Sequence, residues 1–250
     1  MTTADRQKIR SVAVVMPAHN EERHIGSALA ALQTAADALQ REHPGIGVSI
    51  AVVLDACTDR SSSITAAYTS ADLRFLPVEV GFRSTGASRD AGIRAALERL
   101  PFAAVAGAGT WLATTDADST VPGHWLVRQV ELANAGADAI LGSVEPDSRD
   151  MDEAVLERWR ELHPSREDHP HIYGANLGVR ASAYLAAGGF PRLRSHEDRV
   201  LVERLRRLGL AVIATDTTKV TTSGRLQARA PEGFAAYLRA LGSGLSSVAR

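Results

Sequence analysis

Short β-branched runs alternating with longer stretches of helical periodicity are the feature that most limits what this chain can fold into. Val12 to Met16 is such a run, and Ile25, Leu29 and Leu32 then recur at the spacing of a helix with one apolar face. Val48 to Leu54 reads as a second strand, Asp59-Arg60-Ser61 as the opening of a short helix, and Leu73 to Val78 as a third strand. Ala87 to Leu100 reads as a long helix with Ile93 and Leu97 on one face, and Trp111 to Thr115 as a fourth strand. Strands linked through helices pair in parallel, because each connection crosses back over the sheet. The expected class is α/β: a Rossmann-like, mostly parallel central sheet with helices on both faces.

The later chain departs from that rhythm. Pro122 suits the first turn of a helix, and Ala137 to Leu141 returns as a strand. Met151 to Leu162 is a charged amphipathic pattern carrying Val155, Trp159 and Leu162, and Pro164 to His171 is a polar loop; the segment 151–171 reads as a helical insertion over one face. Tyr173 to Arg180, a helix from Ser182 to Ala187, the Gly188-Gly189 break, a helix from His196 to Leu208 and a strand from Ala211 to Ala214 follow. A last helix, Gly233 to Leu241, carries Phe234, Tyr237 and Leu238. No repeat or low-complexity linker interrupts the 250 residues, which are read as one domain.

A formal net charge of -1 with 23% charged residues leaves no basic field of the kind that attracts nucleic acid. Cys57 is the only cysteine, which excludes an internal disulfide and suits a reducing cytoplasm. The first apolar run meets Pro17-Ala18-His19-Asn20-Glu21-Glu22 too soon for a signal peptide. Leu100 to Thr115 is rich in Ala, Gly and Thr, and nothing approaches the roughly 20 strongly apolar residues of a bilayer span. The expectation is a soluble, cytoplasmic protein, with room for peripheral contact at the inner face of the membrane.

In open parallel sheets ligands sit beyond the carboxyl ends of the strands. Asn20-Glu21 follows the first strand, Asp55 ends the second, and Asp116-Ala117-Asp118 ends the fourth. Three acidic strand ends on one rim repel an anion unless a cation intervenes. Asp116 and Asp118 offer hard carboxylate oxygens that can hold Mg²⁺ or Mn²⁺ against a diphosphate, although Asp118 or Ser119 would equally serve as a helix cap. Glu197-Asp198 opens a helix, where Ser195 and Asp198 resemble a capping box; the functional alternative is a general base for an acceptor hydroxyl.

The order of these motifs resembles the family 2 glycosyltransferases, whose fold is of the GT-A type. The resemblance runs from about Val12 to Leu208 through Val14-Val15-Met16-Pro17-Ala18-His19-Asn20-Glu21-Glu22, then Val52-Val53-Leu54-Asp55-Ala56-Cys57-Thr58-Asp59. It continues through Gly86-Ala87-Ser88-Arg89-Asp90-Ala91-Gly92, Asp116-Ala117-Asp118, Gly174-Ala175-Asn176-Leu177-Gly178-Val179-Arg180 with Gly188-Gly189-Phe190, and Glu197-Asp198. It implies transfer of a sugar from a nucleoside-diphosphate donor, most commonly a uridine one, to an acceptor that no motif identifies. Pro17, His19 and Glu21 would line the nucleoside pocket, Asp55 would accept from the base, and Arg89 would belong to the ribose side. Asp116 would meet the ribose or the metal through water, Asp118 would ligate the metal, and Glu197-Asp198 would be the catalytic pair, with Asp198 the base of an inverting displacement. The nucleotide-binding half would span about 10–120, the acceptor and catalytic half about 121–225, and a C-terminal helical segment 226–250.

One departure stands out. Many relatives supply a metal-ligating histidine from the C-terminal segment, and this chain has none after His196. Thr221, Thr222 and Ser223 lie near that place, followed by Arg225 and Arg229. Arg225 is expected to offset diphosphate charge beside a weakly held metal, the alternative being a plain surface residue.

Other readings fit less well. His163, His169 and His171 match no common zinc spacing and read as part of a solvated loop, which can act as a lid. Trp159 and Tyr173 are candidate sugar platforms, with core packing the stronger use. A nucleotidyltransferase or a dehydrogenase would carry a glycine-rich loop after the first strand, where this chain has Ala18-His19-Asn20-Glu21. Gly81 to Gly86 is no P-loop, since no lysine follows. A non-catalytic sugar-nucleotide-binding protein on the same scaffold would not need both carboxylate motifs.

Overall fold

A computed structural model of the chain describes residues 7–100, 109–226 and 234–243. Its first half alternates β1 (Ser11–Ala18), α1 (Ile25–Glu42), β2 (Gly47–Asp55), α2 (Ser61–Ala71), β3 (Phe75–Val80), α3 (Thr85–Glu98) and β4 (Thr110–Thr114). The second half holds β5 (Ser119–Thr120), α4 (Trp125–Asn134), β6 (Ala139–Pro146), α5 (Glu153–Leu162), β7 (Leu177–Arg180), α6 (Ala181–Ala186), α7 (Glu197–Arg207), β8 (Val212–Thr222) and α8 (Phe234–Gly242). One eight-stranded sheet runs in the order β3-β2-β1-β4-β7-β6-β8-β5.

Pairing is parallel among β3, β2, β1 and β4, and again between β6 and β8. The antiparallel β7 sits between β4 and β6 and joins these blocks. Strand alternation divides the core into two layers: Val12, Val14 and Met16 of β1 face α1 and α4, while Ala13 and Val15 face α3 and α7. In α1 the buried residues Ile25, Ala28, Leu29, Leu32, Ala35, Ala36 and Leu39 form one apolar stripe, so burial of that face holds the helix to the sheet.

Several boundaries differ from those read in the sequence. The third strand begins at Phe75, in register with Ile50, and leaves Leu73 82% exposed. Pro122 lies before α4 instead of inside it, its carbonyl accepting from Trp125 N. Tyr173 to Arg180 divides into a 3-10 turn, Gly174–Asn176, and a four-residue strand. Asn176 causes the break: its amide donates to the carbonyls of Ser143 and Thr218, and its Oδ1 accepts from Trp125 Nε1. In the turn, each polar atom of that buried amide has a partner.

The strand expected over Ala211 to Ala214 continues to Thr222 as β8, past an irregularity in its pairing with β6 between Gly142 and Val144. Its end pairs with β5, Ser119 opposite Thr222. The last helix begins, in the described residues, at Phe234; Gly233 and Arg229 lie outside them. No helix among the described residues is long and apolar enough to cross a membrane.

Candidate active site

A cleft of about 1380 Å³ lies along the carboxyl ends of β1, β2 and β4 and continues to the start of α7. Pro17, His19, Glu21, Asp55, Arg89, Asp116, Asp118, Glu197, Asp198 and Arg225 all line it. So do four non-glycine residues in the left-handed region: Asn20 (φ 54°), Ala56 (φ 51°), Arg83 (φ 49°) and His196 (φ 64°). Each costs on the order of 1 kcal/mol or more, and such strain persists where surrounding contacts over-determine the backbone. The loops after β1 and β2 provide those contacts: Asn20 Oδ1 accepts from Thr58 N, Asp59 Oδ2 from Glu22 N and Ser61 Oγ from Glu21 N.

Asp55 is buried at the end of β2. Its Oδ1 accepts from Arg83 N at 2.8 Å, and its Oδ2 accepts from Ser84 N and Ser88 Oγ. These bonds anchor the start of α3, where Ser84 Oγ also accepts from Ala87 N. His19 Nδ1 lies 2.6 Å from the Asp55 carbonyl oxygen, fixing the ring beside the same strand end.

Arg89 occupies the centre. Its side chain is 3% exposed; Nη2 donates to Asp116 Oδ1 at 2.6 Å, and Nη1 donates to Glu197 Oε1. The guanidinium therefore joins the strand-end motif to the helix-start motif. Burial works against its charge, but Asp116 and Glu197 outweigh that and hold its pKa up. Burial also pushes the Glu197 carboxyl up, with Arg89 pulling it down. Gly174 leaves the room for the guanidinium, since a Cβ there would lie 2.3 Å from Arg89 Nη1, while Gly86 lets α3 approach the segment before α7, since a Cβ there would lie 2.0 Å from the Pro191 carbonyl oxygen. The helical stripe that turns Ile93 and Leu97 inward carries Arg89 four residues before Ile93, a signal by which its burial is readable.

The capping reading of Ser195 and Asp198 is not what forms. His196 is the N-cap of α7 and makes no side-chain cap bond, while Asp198 Oδ1 accepts from Arg199 N at 2.8 Å. Glu197 is buried under Arg89, whereas Asp198 is only half-buried and faces the cleft. Nor does Asp118 or Ser119 cap α4: His124 holds the N-cap position, and Ser119 Oγ donates to Thr222 Oγ1.

A second cluster forms where β8 reaches β5. Ser223 N donates to the Asp118 carbonyl, and two residues on the Arg225 guanidinium donates to Glu21 Oε2 at 2.8 Å and Oε1 at 2.9 Å. Arg225 Nη2 also lies 2.8 Å from Asp118 Oδ2. The fork satisfies two carboxylates from separate strand ends, and no local pattern in the sequence points to it. Burial pushes the Asp118 carboxyl up to about 6; Arg225 opposes this, and Asp116 and Glu21 add to it.

The fit of a divalent cation follows from these charges. Around the strand ends, the four carboxylates of Glu21, Asp116, Asp118 and Glu197 share the guanidiniums of Arg89 and Arg225, a local concentration of acidic oxygens in a cleft whose wider lining also carries Arg83, Arg158, Arg194, Arg199 and Arg206. Hard carboxylate oxygens suit Mg²⁺ or Mn²⁺. No group of three histidine, cysteine or acidic side chains is placed to hold a metal among the described residues. The chain offers one or two carboxylates, leaving donor oxygens and water to complete a shell.

The wall around Trp159 differs from the solvated loop read in the sequence. His163 stacks on Trp159 at 3.6 Å between centroids and lies 4.5 Å from His171, and His169 is 4% exposed. Phe234 and Tyr237 pack edge-on to Trp159. Trp159 is buried in the core, the stronger of the two uses expected for it, and it also lines the cleft with Tyr173.

The family model described as glycosyl transferase family 2 matches residues 13–187. No curated protein gives a significant match to the sequence. Among solved structures, a mannosyltransferase from Pyrobaculum calidifontis in complex with GDP-Man and Mn2+ is 20% identical with a TM-score of 0.62. That similarity covers 94% of this chain and 61% of the mannosyltransferase, so the chain spans less than two thirds of it. Glucosyl-3-phosphoglycerate synthase from Mycobacterium tuberculosis, in complex with Mn2+, UDP and glucosyl-3-phosphoglycerate, is 16% identical with a TM-score of 0.56. It is covered over 80% of its length by 97% of this chain. Both likenesses place the fold with the Rossmann-like GT-A architecture.

Proposed function

Because the chain belongs to glycosyl transferase family 2, we propose that it transfers a sugar from a nucleoside-diphosphate donor, a UDP-linked one foremost, to an acceptor hydroxyl with inversion. The observation that carries this reading is the single cleft in which the ends of β1, β2 and β4, the start of α7 and the segment after β8 all meet. Pro17 and His19 would flank the nucleoside. Asp55 Oδ1 bears one bond, from Arg83 N, and so keeps acceptor capacity for a base N–H.

Arg89 is too buried to reach a nucleotide broadly. It acts as a positioning residue that holds Asp116 toward the donor and fixes Glu197, and with it the first turn of α7. Asp198, next to that clamp and open to the cleft, takes the acceptor proton as the hydroxyl attacks the anomeric carbon. Asp118, with Asp116, would hold a Mg²⁺ or Mn²⁺ ion, which when bound stabilises charge on the departing diphosphate. Arg225 would pair with diphosphate oxygens at the same end. Inversion follows from a base and a leaving group on opposite sides of the sugar. A single domain working in the cytoplasm, with peripheral membrane contact at the open acceptor end, is the setting this reading implies.

The test is a panel of UDP- and GDP-sugars with candidate acceptors, read as release of nucleoside diphosphate. Asp198→Asn should lower turnover by about 10²–10⁴ while donor affinity, measured by calorimetry, stays within twofold. Donor binding without release across the whole panel would make the protein a binding module and overturn the proposal.

A further inference from the structure

The Arg225 cluster carries a second consequence, which rests on the metal-assisted reading above. Asp118 is the residue with which the strand-end motif would hold a cation, and its Oδ2 already lies 2.8 Å from Arg225 Nη2. The other edge of the same guanidinium is committed to both oxygens of Glu21 at 2.8 and 2.9 Å. Glu21 is buried, and His24 Nδ1 stands 3.4 Å from its Oε2. Asp118 Oδ1 is left with a long 3.4 Å contact from Ser119 Oγ. A divalent ion arriving alone would therefore meet a carboxylate whose charge is already shared, within a few ångströms of a guanidinium. A diphosphate changes that balance. It offers the guanidinium a bidentate partner of its own and brings the negative charge that an added cation requires.

We propose that Arg225 is an internal counterion that makes divalent-cation binding conditional on nucleotide: it holds Asp118 in the donor-free protein and turns to the diphosphate when donor enters, releasing Asp118 to the metal. The cation and the nucleotide then bind with positive coupling, and by linkage each raises the affinity of the other by the same factor. This assigns the absent C-terminal histidine a physical replacement. Position 225 supplies no third metal ligand; it supplies a charge that keeps the site closed to free metal.

The experiment measures Mn²⁺ binding by the loss of the free-ion electron paramagnetic resonance signal, on the full chain, alone and with UDP or GDP. Wild type should bind Mn²⁺ at least tenfold more tightly with nucleotide than without it. Arg225→Met, which keeps length and removes charge, should bind Mn²⁺ alone at least tenfold more tightly than wild type does, and nucleotide should then add less than threefold. Arg225→Lys should stay near wild type for Mn²⁺ alone, because its charge still occupies the site. Equal affinity of wild type and Arg225→Met for Mn²⁺ alone, with both folded by circular dichroism, overturns the proposal. The comparison without nucleotide remains decisive even if neither nucleotide binds, an outcome that would instead sink the glycosyl-donor reading.

Discussion

Two arginines tie the acidic ends of this cleft together, and they differ in how firmly they are placed. Arg89 has a side chain 3% exposed, sits in a slot left open by Gly174, and joins Asp116 to Glu197. Arg225 has a side chain 24% exposed, approaches from beyond a sheet edge, and joins Glu21 to Asp118. The chemistry is the same, one guanidinium between two carboxylates, but the surroundings assign it different work. A guanidinium this deeply buried, bonded to a carboxylate that is buried with it, cannot exchange partners without uncovering Glu197, so Arg89 is a permanent strut. A charge at the open edge can exchange a carboxylate for a phosphate, so Arg225 is a movable one.

The largest effect should follow removal of the strut. Arg89→Met leaves Asp116 and a buried Glu197 without their shared cation, at a cost of about 3–5 kcal/mol in urea unfolding, and turnover should vanish with it. Arg89→Lys should recover part of the stability and little of the turnover, since a point ammonium cannot bridge both carboxylates as the fork does. An Arg89→Met protein within about 1 kcal/mol of wild type would remove the distinction between the two arginines. Gly174→Ala attacks the same strut from its socket. The added methyl must displace the guanidinium, so stability should fall by roughly 1–3 kcal/mol, with kcat reduced more than donor KM is raised. A silent Gly174→Ala would mean that the slot is not rigid.

Arg225→Met should cost only about 1 kcal/mol, because its pair is partly open to water and Glu21 keeps His24 nearby. Its signature should be in donor affinity instead, weakened about tenfold at saturating metal, or about 1.4 kcal/mol. A loss of stability as large as that of Arg89→Met would make Arg225 a second strut and would break the comparison from the other side.

The same contrast decides what the sequence discloses. The β1 to β4 half is legible because its strands alternate cleanly between two helical layers, and Val12, Val14 and Met16 against Ala13 and Val15 need no distant information. Arg89 is readable in principle from the stripe it shares with Ile93 and Leu97. Arg225 is reached in the sequence only through the family resemblance and by no local pattern, because its position depends on β8 continuing through the polar run Thr215-Asp216-Thr217-Thr218, where the hydrophobic pattern ends the strand at Ala214. Pairing with β6 across an irregularity and with β5 at the far end carries the strand on, and both are contacts between residues far apart in sequence. The histidine wall fails for a related reason: Pro164 to His171 is polar in composition, yet His171 packs against His163, which stacks on Trp159, and a local window cannot show it.

That wall handles buried basic groups in a third way, and gives the smallest effect. No carboxylate pairs with His171 among the described contacts, and its pKa is lowered to about 4 by burial first, then by His163, His169 and Arg166. The ring stays neutral where Arg89 and Arg225 stay charged. Between an unfolded value near 6.5 and the folded one, the unfolded chain binds a proton that the folded chain does not, so stability is full above about pH 6.5 and is lost as pH falls toward 4. His171→Phe should keep the stacking beside Tyr173 and remove this proton, so the drop in unfolding temperature between about pH 7.5 and about pH 5 should shrink. His163, whose pKa burial also lowers, should keep part of the drop. An unchanged drop in His171→Phe would show that the ring is protonated in the folded wall, and that this wall holds a charge after all.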